Sequence, residues 1–306
     1  MIRVPTGAAT PASIVDTLKA SAGVSPKTRA SFARGRCVRG TFIPSDRAEE
    51  ITKSQSFTAA SRVLARFSLD GGNPRLPNTD NFVLRGFSFR LGDTEHRSDI
   101  LTQSAPVHYA RTPAQMLAYL KARVPGSGQR PDPEKVEAFS AGNPETSHQA
   151  SYVAAHPLPA SVADTTYWAV HAFPATNRYG ETQFIKFKVV PVGSQGAAPT
   201  EGAARTEPEE FLHDDLERRI AARDIRFSLM AVLGRLGDPI LDVTIRWPDE
   251  DRRETVRLGT IVITAIEKRD AYVFDPAVLA EGIGHPPDEI FAARRAAYTI
   301  SRARRR

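Results

Sequence analysis

The sequence predicts an α+β protein built on a closed antiparallel β-barrel that carries helical insertions. Several short segments alternate apolar and polar side chains, which is the pattern of a strand with one buried face. Amphipathic segments with helical spacing separate these strands, and no unit of the sequence repeats. Because many antiparallel strands leave exposed edges unless the sheet closes on itself, we expect the strands to form a barrel.

The composition limits the classes of protein to consider. The chain has 306 residues, of which 41% are hydrophobic, enough to bury one substantial core. We expect a helical arm over residues 1–27 and a single domain over residues 28–306. Part of the net charge of +6 lies in the arginine-rich C-terminal tail, but no nucleic-acid-binding module accompanies it. We therefore expect no nucleic-acid partner.

The sequence also indicates a compartment. Cys37 is the only cysteine, so neither an intramolecular disulfide nor a paired-cysteine metal site is expected. The N-terminal segment lacks the continuous apolar core of a signal peptide. No segment approaches the roughly 20 apolar residues of a membrane-spanning helix. These observations predict a soluble, cytoplasmic protein with no membrane partner.

Helices and strands alternate in the first half of the chain. The helix predicted over Pro11–Ala22 has proline in its first turn, and Gly23 follows its end. Periodicity then predicts strands over residues 36–43, 62–69 and 82–91, followed by helices over residues 112–124 and 145–155.

The second half continues the same pattern. A hairpin turn at residues 177–180 joins strands predicted over residues 166–173 and 183–192, and the small-residue loop 193–206 marks the boundary between the two halves. The remaining predictions are a helix over residues 207–222, strands over 225–233, 240–247 and 255–266, and a terminal helix over 286–304. That last helix has acidic residues in its first turn and arginines in its last, which suits the helix dipole.

A series of short motifs occurs in one order along the chain. They are Arg29-Ala30-Ser31-Phe32-Ala33-Arg34-Gly35, Arg66-Phe67-Ser68, Arg85-Gly86-Phe87, Tyr167-Trp168-Ala169-Val170-His171-Ala172-Phe173, Asn177-Arg178-Tyr179-Gly180-Glu181, Gly237-Asp238-Pro239 and Phe274-Asp275-Pro276. Together they resemble the catalase superfamily. The C-terminal half is similar in particular to the small catalase-related peroxidases.

This resemblance implies a haem b cofactor, whose iron is held by a tyrosinate on the terminal helix. Tyr298 fits that ligand, and Arg294 lies one helical turn before it. Because residues four apart share a helix face, the guanidinium is expected to donate to the phenolate oxygen and lower its pKa. The resemblance also implies that Arg29 and Arg66 pair with the haem propionates. His171 is expected to be structural or to lie near the haem edge.

The motif that should carry the distal catalytic histidine has Phe32 in its place. Phe32 cannot take a proton from a peroxide. In the family, the Ser68 hydroxyl contacts that histidine, so here we expect it to turn to backbone or water. Gln103 aligns with the distal asparagine and retains an amide donor, but an amide is not a base. One hypothesis is that His108 and Phe32 form an exchanged pair, in which His108 supplies the missing base.

These features favour a haem peroxidase of the catalase-related type, which reduces hydrogen peroxide or organic hydroperoxides with a reducing co-substrate. Catalase activity is expected to be weak or absent because of Phe32. One alternative is a non-enzymatic haem carrier or sensor, which needs Tyr298 and Arg294 but no distal base. Another is haem-dependent rearrangement of lipid hydroperoxides, for which the sequence shows no specific channel. We expect a monomer or a homodimer.

Overall fold

The structure, a computed structural model, describes residues 8–22, 27–73, 83–125, 131–156, 161–193, 211–268, 270 and 272–305. The described residues form nine strands in one antiparallel sheet. These are β1 Arg34–Pro44, β2 Ser61–Leu69, β3 Arg85–Leu91, β4 Ser98–Gln103, β5 Tyr167–Trp168, β6 Phe173–Thr176, β7 Thr182–Pro191, β8 Ile225–Leu233 and β9 Thr255–Glu267.

The sheet closes into a barrel. Its strand order is β5-β4-β3-β2-β1-β9-β8-β7-β6, and an additional pairing of β5 with β7 joins the two sides. Eight strands therefore form the ring, and β6 lies outside it against β7. The predicted fold class, a closed antiparallel barrel with helices, is confirmed.

Aromatic side chains fill the barrel interior. The rings of Phe67 on β2 and Phe87 on β3 stack with their centroids 4.5 Å apart, and both contact Phe227 on β8. These three side chains are almost completely buried. Because successive side chains of a strand point to opposite faces, Arg66, Ser68 and their neighbours project from the outer face of the barrel.

The helices lie outside the barrel. They are α1 Pro11–Ala22, α2 Ala48–Ile51, α3 Gln55–Thr58, α4 Pro113–Ala122, α5 Pro133–Gly142, α6 His148–Ala155, α7 Phe211–Ala222 and α8 Glu289–Ala303. Helix α1 packs against α4 and α8 through Ile14, Leu117 and Ile290, which belong to one buried cluster. No helix in the described ranges is long and apolar enough to cross a bilayer.

The structure corrects one predicted strand. Residues 240–247 form turns; apolar and polar residues alternate in their sequence, but Val243 and Thr244 are both buried and Ile245 is exposed. Asp242 accepts hydrogen bonds from the backbone and the hydroxyl of Thr244, at 2.9 and 2.6 Å. This side-chain bonding stabilises a turn in place of a strand ladder.

Other boundaries differ in detail. The strand predicted over residues 166–173 is divided into β5 and the start of β6, and the sequence reading missed β4 and α5. The predicted helix over residues 145–155 begins with a short 3-10 turn, Pro144–Ser147, that leads into α6. Most of the predicted loop 193–206 and the start of the helix predicted from residue 207 lie outside the described residues.

Candidate functional site

A cavity of about 990 Å³, measured out to its open mouth, lies on the outer face of the barrel. One row of residues crosses four neighbouring strands along its wall. Ser68 on β2 pairs with Gly86 on β3, Gly86 pairs with Gln103 on β4, and Gln103 pairs with Trp168 on β5. Helices α1 and α8 and the segment 29–32 supply the other walls.

Phe32 lines the cavity in an unusual backbone conformation. Its φ of 50° lies in the left-handed region, which costs a bulky residue about 1–2 kcal/mol. Arg66 stabilises this conformation, because its guanidinium donates to the Phe32 carbonyl at 2.8 Å and to the Ala33 carbonyl at 3.0 Å. The Phe32 ring packs against Gly86, where an added Cβ would lie 2.9 Å from Cδ1.

Gln103 and Ser68 are polar groups in the wall of the cavity near Phe32. The Gln103 amide donates to the Val107 carbonyl at 2.9 Å and, more weakly, to the Ala105 carbonyl at 3.4 Å. Its donors are thus engaged by backbone, and its Oε1 atom is the atom left to accept. Within the part of the chain that is described, the Ser68 hydroxyl makes no hydrogen bond. It therefore has not turned to a backbone partner, and it lies at the cavity.

Three arginines converge at one side of the cavity. Arg29 and Arg66, which the sequence reading identified, both bind Asp270: the Arg66 Nε atom lies 2.7 Å and the Arg29 Nη2 atom 3.3 Å from Oδ1. Arg305, which the sequence reading placed in a solvated tail, also lines the cavity. Three guanidinium groups face one carboxylate here, so the positive charge favours anionic ligands.

The arginine cluster also shifts the pKa values of Arg29 and Asp270. Burial, together with the nearby charge of Arg66, lowers the pKa of Arg29 to about 10 against the opposing effect of Asp270. Burial alone would raise the pKa of Asp270, but its hydrogen bond and charge interaction with Arg66 hold it below its usual value. Asp270 is 204 residues from Arg66 in sequence, and no local pattern pointed to it.

Helix α8 forms the opposite wall. Asp288 caps its N-terminus, because one carboxylate oxygen accepts from the Phe291 amide at 2.8 Å, while the other lies 2.8 Å from His171 Nδ1. Arg294 lies 2.8 Å from His171 Nε2. Since arginine only donates, Nε2 must accept and Nδ1 must carry the proton given to Asp288. The sequence reading missed Asp288 and the link between His171 and Arg294.

The pKa values of this chain of contacts agree with that tautomer. Burial, reinforced by the charge of Arg294, lowers the pKa of His171 despite Asp288. Burial would raise the pKa of Asp288, but the hydrogen bond from His171 and the charge of Arg294 keep it below its usual value. We therefore describe His171 as neutral and Asp288 as ionised.

Tyr298 lies at the cavity, one turn after Arg294. The Arg294 guanidinium carbon is 5.9 Å from the centroid of the Tyr298 ring, so the cation faces the ring. No described residue forms a hydrogen bond with the phenol oxygen. The structure therefore brings Arg294 and Tyr298 together as the spacing indicated, but the guanidinium donates to His171 rather than to the phenol.

His108 does not line the cavity beside Phe32. Its backbone N–H donates to the Val243 carbonyl at 2.7 Å, and its ring Nδ1 lies 2.9 Å from the Ala110 carbonyl oxygen and 3.1 Å from the Ala110 amide nitrogen. Burial, with the nearby charge of Arg294, lowers the pKa of His108 to about 3. The structure therefore does not bring His108 and Phe32 together at the cavity, as the exchanged pair requires. The His108 ring contacts the Ala110 backbone instead.

The donor set suggests how a metal would be held. The described ranges contain no cluster of three or more histidine, cysteine or carboxylate side chains that could hold a metal ion. Tyr298 offers a single phenol oxygen at the cavity. One such oxygen suits an iron whose other ligands arrive with it, as in haem.

Comparisons with known proteins agree with this geometry. The family model described as Catalase matches residues 24–306. A catalase-related peroxidase of Synechococcus elongatus is 30% identical, covering 97% of this chain and 88% of that protein. A catalase-related peroxidase of Mycolicibacterium paratuberculosis is 26% identical, covering 96% of this chain and 94% of that protein.

Solved structures show the same fold. A bacterial catalase superposes with a TM-score of 0.81 at 19% identity, covering 91% of this chain and 57% of that chain. Catalase A of Saccharomyces cerevisiae superposes with a TM-score of 0.81 at 19% identity, covering 96% and 64% of the two chains. This chain thus spans about six-tenths of the length of these solved catalases.

Proposed function

This chain belongs to the catalase family, and from that premise we propose that it is a haem-dependent peroxidase of the catalase-related type. It reduces hydrogen peroxide or an organic hydroperoxide at the expense of a reducing co-substrate, with weak or absent catalase activity. The observation that carries this proposal is that Tyr298 lines the cavity and that its phenol oxygen has no hydrogen bond from the described residues. Two relatives that are named catalase-related peroxidases support the same activity.

The residues present fit a haem b group. Phe32 and Tyr298 both line the cavity. Phe32 supplies an apolar ring, and Tyr298 supplies an oxygen ligand. The positive side of the cavity, formed by Arg29 and Arg305 beside the Arg66–Asp270 pair, suits the carboxylates of such a cofactor. Arg66 is itself nearly saturated by Asp270 and two carbonyls, so Arg29 and Arg305 carry most of this role.

When bound, the cofactor supplies an iron centre able to exchange electrons with a peroxide. Tyr298 would hold that iron through its phenolate oxygen. Arg294 places a positive charge over the Tyr298 ring, next to the proposed ligand. His171 and Asp288 hold the Arg294 guanidinium in this position.

The wall that contains Phe32 accounts for the weak catalase activity that we expect. General acid–base catalysis by a positioned side chain typically contributes about 10²–10⁴-fold to a rate. Phe32 cannot move a proton, and the Gln103 amide is occupied by backbone carbonyls.

The same wall favours a second candidate function, a non-enzymatic haem carrier or sensor. Such a protein keeps the ligand Tyr298 and the positive side of the cavity but needs no proton acceptor. Phe32 and the engaged amide of Gln103 are the specific observations in its favour. Peroxide turnover by the haem-loaded protein separates the two functions.

The first experiment is a haem titration of the purified protein followed by absorption spectroscopy. We expect one haem per chain with a tyrosinate-type ferric spectrum, which Tyr298→Phe abolishes. Tyr179→Phe is the matched control, because Tyr179 also lies beside an arginine, Arg178, but is 70% exposed and away from the cavity. A Tyr298→Phe variant that keeps the wild-type spectrum contradicts the proposed ligand.

The second experiment adds hydrogen peroxide and an oxidisable dye to the haem-loaded protein. Steady dye oxidation with little oxygen release is the expected result for a peroxidase. Haem that stays bound without any dye oxidation favours the carrier or sensor. A protein that takes up no haem contradicts both candidate functions.

A further inference from the structure

A second polar pair lies directly behind the wall that contains Phe32. Ser31 lines the cavity, and its hydroxyl donates to Asp70 Oδ1 at 2.7 Å. The Gly71 amide donates to the same oxygen, also at 2.7 Å. Within the described ranges Oδ2 accepts no hydrogen bond, and Asp70 has no cationic partner.

Asp70 follows the end of β2, where Leu69 pairs with Arg34 on β1 and with Arg85 on β3. The titratable groups that its charge reaches are Tyr109 and Tyr119; burial raises the pKa of both, and Asp70 raises them further. Burial likewise raises the pKa of Asp70, although Ser31 and Gly71 oppose the shift. A carboxylate without a cation in such a place is costly, and perturbed groups of this kind cluster at functional sites.

The position of the pair matters because of its neighbours. Ser31 immediately precedes Phe32, and the Ala33 amide donates to the Gly71 carbonyl at 3.0 Å. The Ser31–Asp70 pair and the residue that lacks a base are thus fixed in one short segment. The cavity has a hydroxyl at its wall with a carboxylate behind it, which together form a path for a proton.

We propose that Ser31 and Asp70 are the proton acceptor of this cavity, with the Ser31 hydroxyl contacting the peroxide and Asp70 as its positioning and proton-holding residue. This inference rests on the proposed peroxidase function. It assigns to a serine and an aspartate the task that Phe32 cannot perform.

The proton balance is simple. The Ser31 oxygen accepts the proton of the peroxide O–H group while the Ser31 hydroxyl proton passes to Asp70. The peroxide becomes a hydroperoxide anion, Asp70 becomes a neutral carboxylic acid, and Ser31 is unchanged. Return of this proton to the peroxide oxygen restores the Asp70 carboxylate, so the exchange moves a proton only and needs neither an electron nor a further reactant.

Asp70→Asn is the decisive variant. Both hydrogen bonds reach one oxygen of Asp70, so the amide oxygen of asparagine can keep both while the ability to take a proton is lost. Asp93→Asn is the matched control, because Asp93 is an exposed turn aspartate that accepts from the Glu95 and His96 amides.

The readout is the rate at which hydrogen cyanide binds to the haem-loaded protein across a pH series. Hydrogen cyanide must lose a proton on binding but does not react further, so this rate reports the proton acceptor and not turnover. We expect Asp70→Asn and Ser31→Ala to slow cyanide binding about 100-fold and to flatten its pH dependence. Ser31→Thr, which keeps the hydroxyl, should retain most of the wild-type rate.

A readout without haem accompanies it. Infrared difference spectra of wild type and Asp70→Asn should show a carboxyl group that titrates above the usual value of about 4. A carboxyl that titrates at the ordinary value overturns the proposal, and so do wild-type cyanide rates in both Asp70→Asn and Ser31→Ala. If Asp70→Asn does not fold, the two Ser31 variants decide.

Failure of the inference and failure of the proposed function are separable. Wild-type protein that binds haem and turns over peroxide, with Asp70→Asn unchanged, defeats only the inference. Wild-type protein that takes up no haem defeats the proposed function and the inference with it.

Discussion

Phe32 combines an unusual side chain with an unusual backbone. Its positive φ is maintained by the bonds from Arg66, and its ring lies against Gly86 with the Ser68 hydroxyl on the same side. Among residues other than glycine, histidine, asparagine and aspartate tolerate this backbone region better than phenylalanine does. The local structure is thus better suited to a histidine than to the residue that it holds.

We therefore expect Phe32→His to be a gain-of-function change. The new imidazole would lie beside the Ser68 hydroxyl and could accept the peroxide proton, so peroxide turnover by the haem-loaded protein should rise at least about 10-fold. Steady-state oxygen release and dye oxidation measure the effect. Phe32→Asn is the control, because asparagine suits the same φ but is not a base; equal gains in both variants would refute the explanation.

Gly86 on β3 lies very close to the side chains of Ser68 and Phe32 in the wall of the cavity. A Cβ added at Gly86 would lie 2.7 Å from Ser68 Oγ and 2.9 Å from Phe32 Cδ1, both too short for ordinary contact. We expect Gly86→Ala to lower the free energy of unfolding by about 1–3 kcal/mol, because overpacking forces neighbours from their rotamers.

Urea unfolding measures this cost. Gly142→Ala is the matched control, since a Cβ there meets nothing within 4 Å at the end of α5. It should leave the free energy of unfolding unchanged or slightly raise it. A loss in Gly142→Ala as large as that in Gly86→Ala would mean that the close approach is not the cause.

Much of the element structure could be predicted because local pattern and final environment agree. Strand β8 alternates between buried and less buried residues over most of its length, and α8 carries Arg294 and Tyr298 four residues apart, so both periodicities could be recognised in the sequence. The strand predicted over residues 240–247 was wrong because apolar and polar residues alternate there in sequence, whereas the turn buries Val243 and Thr244 side by side. Strand β4 was missed because Asp99 interrupts its apolar pattern; it is completely buried only because Arg90 and Arg97 pair with it.

The site was predictable only where a motif is local. The pairing of Asp270 with Arg66 and the contact of Asp288 with His171 join residues 204 and 117 positions apart. Asp70 carries no motif, and only the folded chain shows that it lies behind Ser31. Such partners depend on barrel closure and helix docking, which no sequence spacing encodes.

The whole molecule should be sensitive to acid. Burial lowers the pKa of His171, and it lowers that of His108 to about 3, whereas a histidine in an unfolded chain titrates near about 6.5. Below about pH 6.5 the unfolded state therefore binds more protons, so stability falls as the pH falls. The lowered pKa of Asp288 adds a further loss below about pH 4, while the raised pKa of Asp70 opposes it.

His108→Asn tests this dependence. The asparagine side chain carries both a donor and an acceptor for the Ala110 backbone, which Nδ1 contacts in wild type, but it does not titrate. We expect urea unfolding at several pH values to show a slope that is smaller than that of wild type by up to about 1.4 kcal/mol per pH unit between about pH 6 and 3.5. An unchanged slope would show that His108 is not buried as a neutral group.

Strand β5 closes the barrel and pairs with each of its neighbours through only one or two residues. One residue pair, Gln103 with Trp168, connects β5 to β4, and Trp168 also pairs with Lys188 on β7. Trp168 and Gln103 are both walls of the cavity. A ligand that fills the cavity therefore binds the closed ring and not the open one, and by mass action it stabilises ring closure. Cofactor binding and closure of the barrel are then one linked equilibrium, in which the bound cofactor stabilises the short pairings of β5 with β4 and β7.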